Sequence, residues 1–399
     1  MSSSYLPNAI SKLHNTIYPV YARGSNIYTA SKIKYLDLTS GIGALSTGHN
    51  HPIVMNRVKK QLDRYVHIPQ QVFQSHPIQT ELTDKLIDVL PTNLNNIFYV
   101  NSGSEATDNA IKIARKYTGK TNIIAMNGGF HGRSIAALSV TSSNLNCRRG
   151  MVPLLSNIFF CHDSKNKSID TILEYQSSPD DTAAIILESV QGEGGIHSLD
   201  KEFIKYVKQI CISNNILFIA DEVQCGSMRT GVWWDIVSKG INPDIMTFGK
   251  GIASGYPLAG VAANVEIMDS LGKGYLGGTY GGNAICSAAA SATIDILNDY
   301  DIKDNVVKKG EYINISLSNE PGIKKIRQYG LMIAIELKQE DIENSSLRIV
   351  EKLRDNGILV LVAGKNNNCI RLLPPLNISY EDIDLFIDTF RNILRELYY

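Results

Sequence analysis

Two stretches decide how this chain folds: Ile216-Leu217-Phe218-Ile219-Ala220-Asp221 and Asp244-Ile245-Met246-Thr247-Phe248-Gly249-Lys250. Each contains an apolar run that reads as a buried strand and closes on a charge, Asp221 in one case and Lys250 in the other. Placed side by side in a parallel sheet, they would deliver a carboxylate and an amine together at its carboxyl edge. The blander reading is that both charges simply mark the boundary of the sheet.

The same pattern extends outward. Strands are expected at Ile97–Val100, Ile123–Met126, Ile158–Cys161, Ala183–Leu187, Leu217–Ala220, Ile245–Phe248 and Leu258–Ala262, with helices between most of them, notably over 104–117 and 201–213. Such alternation predicts an α/β fold with a mostly parallel sheet covered on both faces. Ahead of it, Asn26-Ile27-Tyr28 and Tyr35-Leu36-Asp37-Leu38 flank a turn and predict a hairpin. Pro52 and Pro77 open amphipathic helices, the first with Met55, Val58, Leu62 and Tyr65 on its face, the second with Ile78, Leu82, Leu86 and Val89. An Ala-rich helix over 284–298 leads out to an α+β tail, with strands near 331–337, 358–362 and 369–373 and a last helix from Tyr380. The expected organisation is a large domain over residues 51–300 and a small α+β domain over 301–399, with residues 1–50 packing against the small domain.

Composition narrows the function. Among 399 residues, 39 basic and 39 acidic side chains cancel, so no basic surface for nucleic acid is expected. Hydrophobic content of 44% is that of an ordinary globular chain, and no apolar run is long enough to cross a membrane. Cys147, Cys161, Cys211, Cys225, Cys286 and Cys369 form no C-x-x-C pair, which disfavours a metal site or disulfide framework and suits reduced thiols in the cytoplasm. Met1 to Ile10 lack the basic start and apolar centre of a secretory signal.

Several glycine-rich segments sit where chemistry would be expected. Asn101-Ser102-Gly103-Ser104-Glu105-Ala106 joins a strand to a helix and could offer N–H groups, hydroxyls and the helix dipole to a phosphate. It could equally be a plain helix cap, with Ser104 as capping residue and Thr107 or Asp108 completing it. Phe130-His131-Gly132-Arg133 supplies an aromatic face and a guanidinium that can clamp a carboxylate. A core phenylalanine, a structural histidine and a solvated arginine are the ordinary alternative. Gln191-Gly192-Glu193-Gly194-Gly195 could bring a carboxylate to a ligand or merely turn in water. In Asp221-Glu222-Val223-Gln224, alternation points Asp221 and Val223 the same way. Gly277-Gly278-Thr279-Tyr280-Gly281-Gly282-Asn283 offers a hydroxyl at a helix entry. Finally, Arg371 within Ile370-Arg371-Leu372-Leu373-Pro374-Pro375 lies on an apolar strand and needs a carboxylate or ligand partner. For Asp221 and Lys250, one chemistry fits well: an amine that holds an aldehyde cofactor, and a carboxylate that keeps the cofactor's ring nitrogen protonated.

Taken in order, these motifs resemble the class III (ω-amino acid) aminotransferases, which are fold type I pyridoxal 5'-phosphate enzymes. The resemblance runs from the hairpin to the last helix. It implies that Lys250 carries the cofactor as a Schiff base and shuttles the substrate's proton, and that Asp221 pairs with the pyridine nitrogen. Ser102, Gly103 and Ser104 would bind the phosphate, joined by Thr279 from the neighbouring subunit of a homodimer. Phe130 and Val223 would cover the two ring faces, with His131 beside the cofactor and Gln224 at its phenolic oxygen. Glu193 would neutralise Arg371 when the donor lacks an α-carboxylate and release it to take the α-carboxylate of glutamate or 2-oxoglutarate. Arg133 would hold the far carboxylate.

Ile42, in Ser40-Gly41-Ile42-Gly43, resembles the aliphatic residue of the 4-aminobutyrate branch. Acetylornithine aminotransferases share that feature. Ser189 and Met228 depart from the family, where proline and glycine are common. The resemblance therefore implies transfer from a 4-aminobutyrate-like or acetylornithine-like donor to 2-oxoglutarate by ping-pong kinetics. Racemase or epimerase activity on the same lysine is an alternative, and a non-catalytic regulator is disfavoured by the intact Lys250.

Overall fold

Between residues 96 and 263 the apolar runs assemble into one seven-stranded sheet. Its strands are β1 (Asn96–Val100), β2 (Asn122–Met126), β3 (Ile158–Cys161), β4 (Thr182–Leu187), β5 (Leu217–Asp221), β6 (Ile245–Phe248) and β7 (Ala259–Ala263). They lie in the order β1-β7-β6-β5-β4-β2-β3. Only β7 runs antiparallel to its neighbours; the other pairings are parallel. The computed structural model describes residues 13–73, 75–338 and 345–398.

Helices explain why these strands are apolar throughout rather than alternating. On one face, α1 (Gly103–Thr118) packs Ala106, Ala110, Ile113 and Ala114 over Ile123, Ile186 and Ile219. On the other, α2 (Lys201–Ser213) sets Phe203, Ile204, Val207 and Cys211 against Ile185, Phe218 and Met246. Every residue of β2, β4, β5, β6 and β7 is buried. This is the α/β arrangement that the alternation predicts.

A second core gathers both ends of the described chain. Strand Lys34–Asp37 pairs antiparallel with Asn26–Thr29, as the hairpin reading predicts, and parallel with Ile358–Leu359. Leu36 and Leu38 share a buried cluster with Ile333, Ile358, Ile370, Phe386 and Phe390. Met332–Leu337 and Cys369–Leu372 pair antiparallel and form the centre of a four-stranded sheet.

Three expectations need correction. The run 358–362 is not one strand: Ile358–Leu359 joins the N-terminal sheet, while Leu361–Ala363 turns to pair with Cys369–Leu372. The helix opened by Pro52 ends at Leu62 and buries Val54, Val58 and Gln61, leaving Leu62 exposed. Gln61 is tolerated inside because its amide donates to the Tyr65 carbonyl at 3.0 Å. The tail also contains strand Ile323–Tyr329 and helices Tyr300–Leu317 and Ser345–Asp355, which the sequence reading does not single out.

Close packing between β6 and β7 holds the sheet edge that carries Lys250. Phe248 lies opposite Gly260, and a Cβ at Gly260 would come within 2.3 Å of the Phe248 ring. Gly260→Ala should therefore overpack this core, costing about 1–3 kcal/mol and lowering the thermal midpoint. An unchanged midpoint would contradict this packing.

Candidate cofactor and active site

The parallel register sets the site. Asp221, the last residue of β5, lies opposite Thr247 of β6, and Lys250 follows three residues later. Both side chains border a cavity of about 490 Å³ together with Gly103, Ser104, Phe130, His131, Gly132, Arg133, Ser134, Glu188, Val223 and Gln224. Segments read as chemical from sequence thus meet at one edge of the sheet, beside Asp221 and Lys250.

Asp221 is buried and doubly held. Its Oδ2 lies 2.7 Å from His131 Nδ1, and its Oδ1 accepts from the Val223 N–H at 3.0 Å. Burial alone would strip the proton from His131, but the Asp221 hydrogen bond and charge outweigh it and raise its pKa. The pair leaves a fixed carboxylate at the cavity wall, suited to a protonated ring nitrogen. Desolvation of the Lys250 amine acts the other way and draws its pKa below that of a free lysine. The Lys250 backbone sits at φ +44°, a left-handed conformation that costs an L-residue about 1–3 kcal/mol.

The Ser-Gly-Ser turn caps its helix and also borders the cavity. Ser102 is the helix cap: its hydroxyl accepts from Glu105 N–H, and Glu105 reaches back to the Ser102 N–H. The cap reading therefore moves from Ser104 and its partners to Ser102 and Glu105, and Ser102 is absent from the cavity wall. Ser104 is freed to bridge loops, its hydroxyl accepting from the Arg133 and Ser134 N–H groups at 3.0 and 2.9 Å. The first turn of α1 leaves N–H groups of Gly103 and Ser104 without helical acceptors, at the cavity wall.

Glycine is required where these loops touch. A Cβ at Gly132, whose φ is +131°, would come within 2.3 Å of Ser104 Oγ, and one at Gly103 within 2.6 Å of Val223. At Gly192 it would strike the Gln224 amide at 1.8 Å. Gln224 is buried with Oε1 lacking a protein partner. A cradle of helix N–H groups, a buried carboxylate and a desolvated amine together fit a phosphorylated pyridine aldehyde.

Glu193 and Arg371 meet as expected. Arg371 Nη1 lies 2.6 Å from Glu193 Oε1, and Arg371 is buried on its strand. Burial pushes the Glu193 carboxyl up, but Arg371 and then Lys250 more than offset this and hold it below the ordinary carboxylate range. Arg133 is exposed at the cavity. Glu193 and Arg371 are themselves absent from the cavity wall, though their charges act on the Lys250 amine. Two more expected residues lie outside it: Thr279 is exposed at a helix entry, and Ile42 is exposed with φ +64°. Met228, where the family commonly has glycine, takes φ +65°, which explains that preference; its buried side chain joins the second core. Ser189 places its hydroxyl 3.7 Å from Cys225 Sγ.

The sequence reading misses Glu188. It directly follows β4 at the cavity, much as Asp221 closes β5, so the same signal was available. Its Oε2 accepts from the Phe130 N–H at 3.2 Å, and burial pushes its carboxyl up to about 8. Glu222, also raised to about 8 by burial, is absent from the cavity wall and accepts from the Asp235 and Ile236 N–H groups at 3.1 and 2.6 Å.

The chain matches the family "Aminotransferase class-III" over residues 9–394. It is 34% identical to the 5-aminovalerate aminotransferase DavT of Pseudomonas putida, covering 98% of this chain and 96% of the relative. Identity to the acetylornithine aminotransferase of Methanocaldococcus jannaschii is 35%, covering 95% and 93%. To the 4-aminobutyrate aminotransferase GabT of Escherichia coli it is 33%, covering 94% and 93%. An ornithine aminotransferase structure from Toxoplasma gondii superposes with a TM-score of 0.89 at 26% identity, covering 98% and 94%.

Two measurements test the geometry. Folded Glu188 keeps its proton to about pH 8, whereas an unfolded glutamate loses it near the ordinary value of about 4.3. The unfolded state then binds fewer protons, so this group's contribution to stability falls as pH rises across that window. The thermal midpoint of the native protein should drop relative to that of Glu188→Gln between about pH 5 and about pH 9; parallel curves would place the carboxyl in water. Gly132→Ala should displace Ser104 and weaken cofactor binding at least about tenfold by fluorescence titration, and an unchanged affinity would contradict the cradle.

Proposed function

The chain belongs to the class III aminotransferases, which use pyridoxal phosphate, and on that premise we propose that it transfers the amino group of a 4-aminobutyrate-like ω-amino acid to 2-oxoglutarate. The observation that carries this reading is the Glu193–Arg371 ion pair beside Lys250. A buried guanidinium that already has a carboxylate needs no α-carboxylate from the donor. When Glu193 swings away, the same guanidinium can take the α-carboxylate of glutamate or 2-oxoglutarate. Arg133 supplies a second cation for the distal carboxylate of either substrate. One site therefore serves a donor and an acceptor in turn, which is the basis for ping-pong kinetics.

When bound, pyridoxal phosphate supplies an electron sink for the bond broken at the amine-bearing carbon. Asp221, oriented by His131 and the Val223 N–H, would face the ring nitrogen and favour its positive charge. Phe130 and Val223, at the cavity wall, would cover the two ring faces, and the Gln224 amide would meet the phenolic oxygen. Gly103, Ser104 and the α1 dipole hold the phosphate. Lys250, whose desolvated amine gives up its proton more readily than a free lysine, would take the proton from the substrate carbon and return it to the cofactor's former aldehyde carbon, on the far side of the nitrogen they share. Burial at the sheet edge excludes competing water.

We further assign residues 51–300 to the cofactor-binding domain and the two ends of the chain to a smaller one, because Leu36 and Leu38 share a core with the tail. A homodimer completes the site, with Thr279 reaching the neighbouring cofactor phosphate. Thr279 is exposed, and the exposed side chains of Val66, Val72, Phe73 and Tyr280 supply apolar surface for such a contact. A cytoplasmic location fits the unpaired thiols. Acetylornithine as donor is the second reading, favoured by the 35% identity to the Methanocaldococcus relative.

Mixing the holoenzyme with single donors and following the cofactor absorbance tests the substrate. 4-Aminobutyrate or 5-aminovalerate should convert it to the amine form, and 2-oxoglutarate should restore it. Conversion only by acetylornithine would transfer the assignment to the second reading, and racemisation without net conversion would sink both. Lys250→Ala should lose at least about 10³-fold in turnover. Phe73→Glu should shift the sedimentation coefficient from dimer to monomer and lower cofactor affinity.

A further inference from the structure

Arg229 is a fully buried cation with no carboxylate partner among the described residues. Burial pulls its pKa down to about 9, so it is still charged at neutral pH. Buried charges are ordinarily paired, and one left unpaired calls for an explanation. Its Nη1 donates to two backbone carbonyls, Leu331 at 3.1 Å and Pro374 at 2.5 Å, while Nη2 has no partner. The contact is reciprocal, because the Leu331 N–H donates to the Arg229 carbonyl at 3.1 Å.

Those two carbonyls are not arbitrary. Leu331 directly precedes strand Met332–Leu337, and Pro374 follows strand Cys369–Leu372. The strands pair antiparallel, with Ile333 opposite Leu372 and Ala334 opposite Arg371. One guanidinium therefore grips both chains at the same end of the ladder, three residues from Arg371. On its other side, Arg229 belongs to the loop that continues from Asp221. There the Gly226 N–H donates to the Glu222 carbonyl at 3.0 Å, and Ser227 and Met228 take left-handed conformations. The approach is tight: a Cβ at Gly330 would come within 2.7 Å of the Arg229 carbonyl.

We infer that Arg229 is a positioning residue that sets where the Arg371 guanidinium stands relative to Asp221 and Lys250, and so tunes capture of the substrate's α-carboxylate. The planar fork of arginine suits this task. Lysine keeps the charge but, as a compact head on a flexible stem, cannot span both carbonyls with the same rigidity. The inference rests on Arg371 being the residue that takes that carboxylate.

The test compares Arg229→Lys and Arg371→Lys holoenzymes in the L-glutamate half-reaction, followed by cofactor absorbance over a range of glutamate concentrations. Arg229→Lys should raise the glutamate concentration for half-maximal rate at least about tenfold, with the saturating rate within about threefold and cofactor affinity unchanged. Arg371→Lys should show the same split more strongly. If Arg371→Lys shows it and Arg229→Lys leaves both parameters unchanged, the inference is overturned while the functional reading stands. The inference is likewise overturned if Arg229→Lys loses saturating rate, cofactor affinity and thermal midpoint together, since that is the mark of a merely structural staple. If Arg371→Lys shows no split, the reading of Arg371 fails and the inference falls with it, whatever Arg229→Lys does.

Discussion

The 2.7 Å contact between Asp221 and His131 is the interaction on which the site depends. A carboxylate inside a protein is costly unless its oxygens are satisfied, and here both are occupied, by an imidazole and by the Val223 N–H. That arrangement needs β5 to end at Asp221 and the Phe130–Arg133 loop to cross the edge of the sheet at the same height. The parallel register does the first, and the β2–β4 pairing beside β5 does the second. Lys250 then enters two residues beyond the end of the adjacent strand, already desolvated.

Around this pair, stability has been traded for close approach. Lys250, Ser227 and Met228 occupy left-handed conformations, and Gly103, Gly132 and Gly192 stand where any side chain would collide with Val223, Ser104 or Gln224. Strain and missing side chains of this kind concentrate where backbone must come near a ligand. The cores on either face of the sheet offset the cost. The second core fixes the strands around Arg371, and Arg229 joins them to the loop behind Asp221.

Much of this was legible in the sequence because the signals were local. Apolar runs that end on Asp221 or Lys250 announce strands and their functional ends, and Ser102-Gly103-Ser104 announces a helix start. What escaped was decided by hydrogen bonds and strand pairings that apolar patterning does not record. The Pro52 helix turned Gln61 inward instead of Leu62 because a carbonyl at Tyr65 was there to receive its amide. The run at 358–362 divided because two sheets compete for it. Glu188 carried the same strand-end signal as Asp221, but its flanking residues resemble a plain turn. Arg229 had no signal at all, since its partners are backbone carbonyls more than a hundred residues away. The roles assigned to Thr279 and Ile42 lie beyond one chain's cavity, where the periodicity of a single sequence has no voice.

The central claim is that the amine closing Asp244-Ile245-Met246-Thr247-Phe248-Gly249-Lys250 is the one that carries the cofactor. Reduction of the holoenzyme with borohydride, followed by proteolysis and mass analysis of the labelled peptide, tests it most directly. The account predicts a single pyridoxyl label, on Lys250. A label on another lysine, or none on a protein that still binds the cofactor, would contradict it.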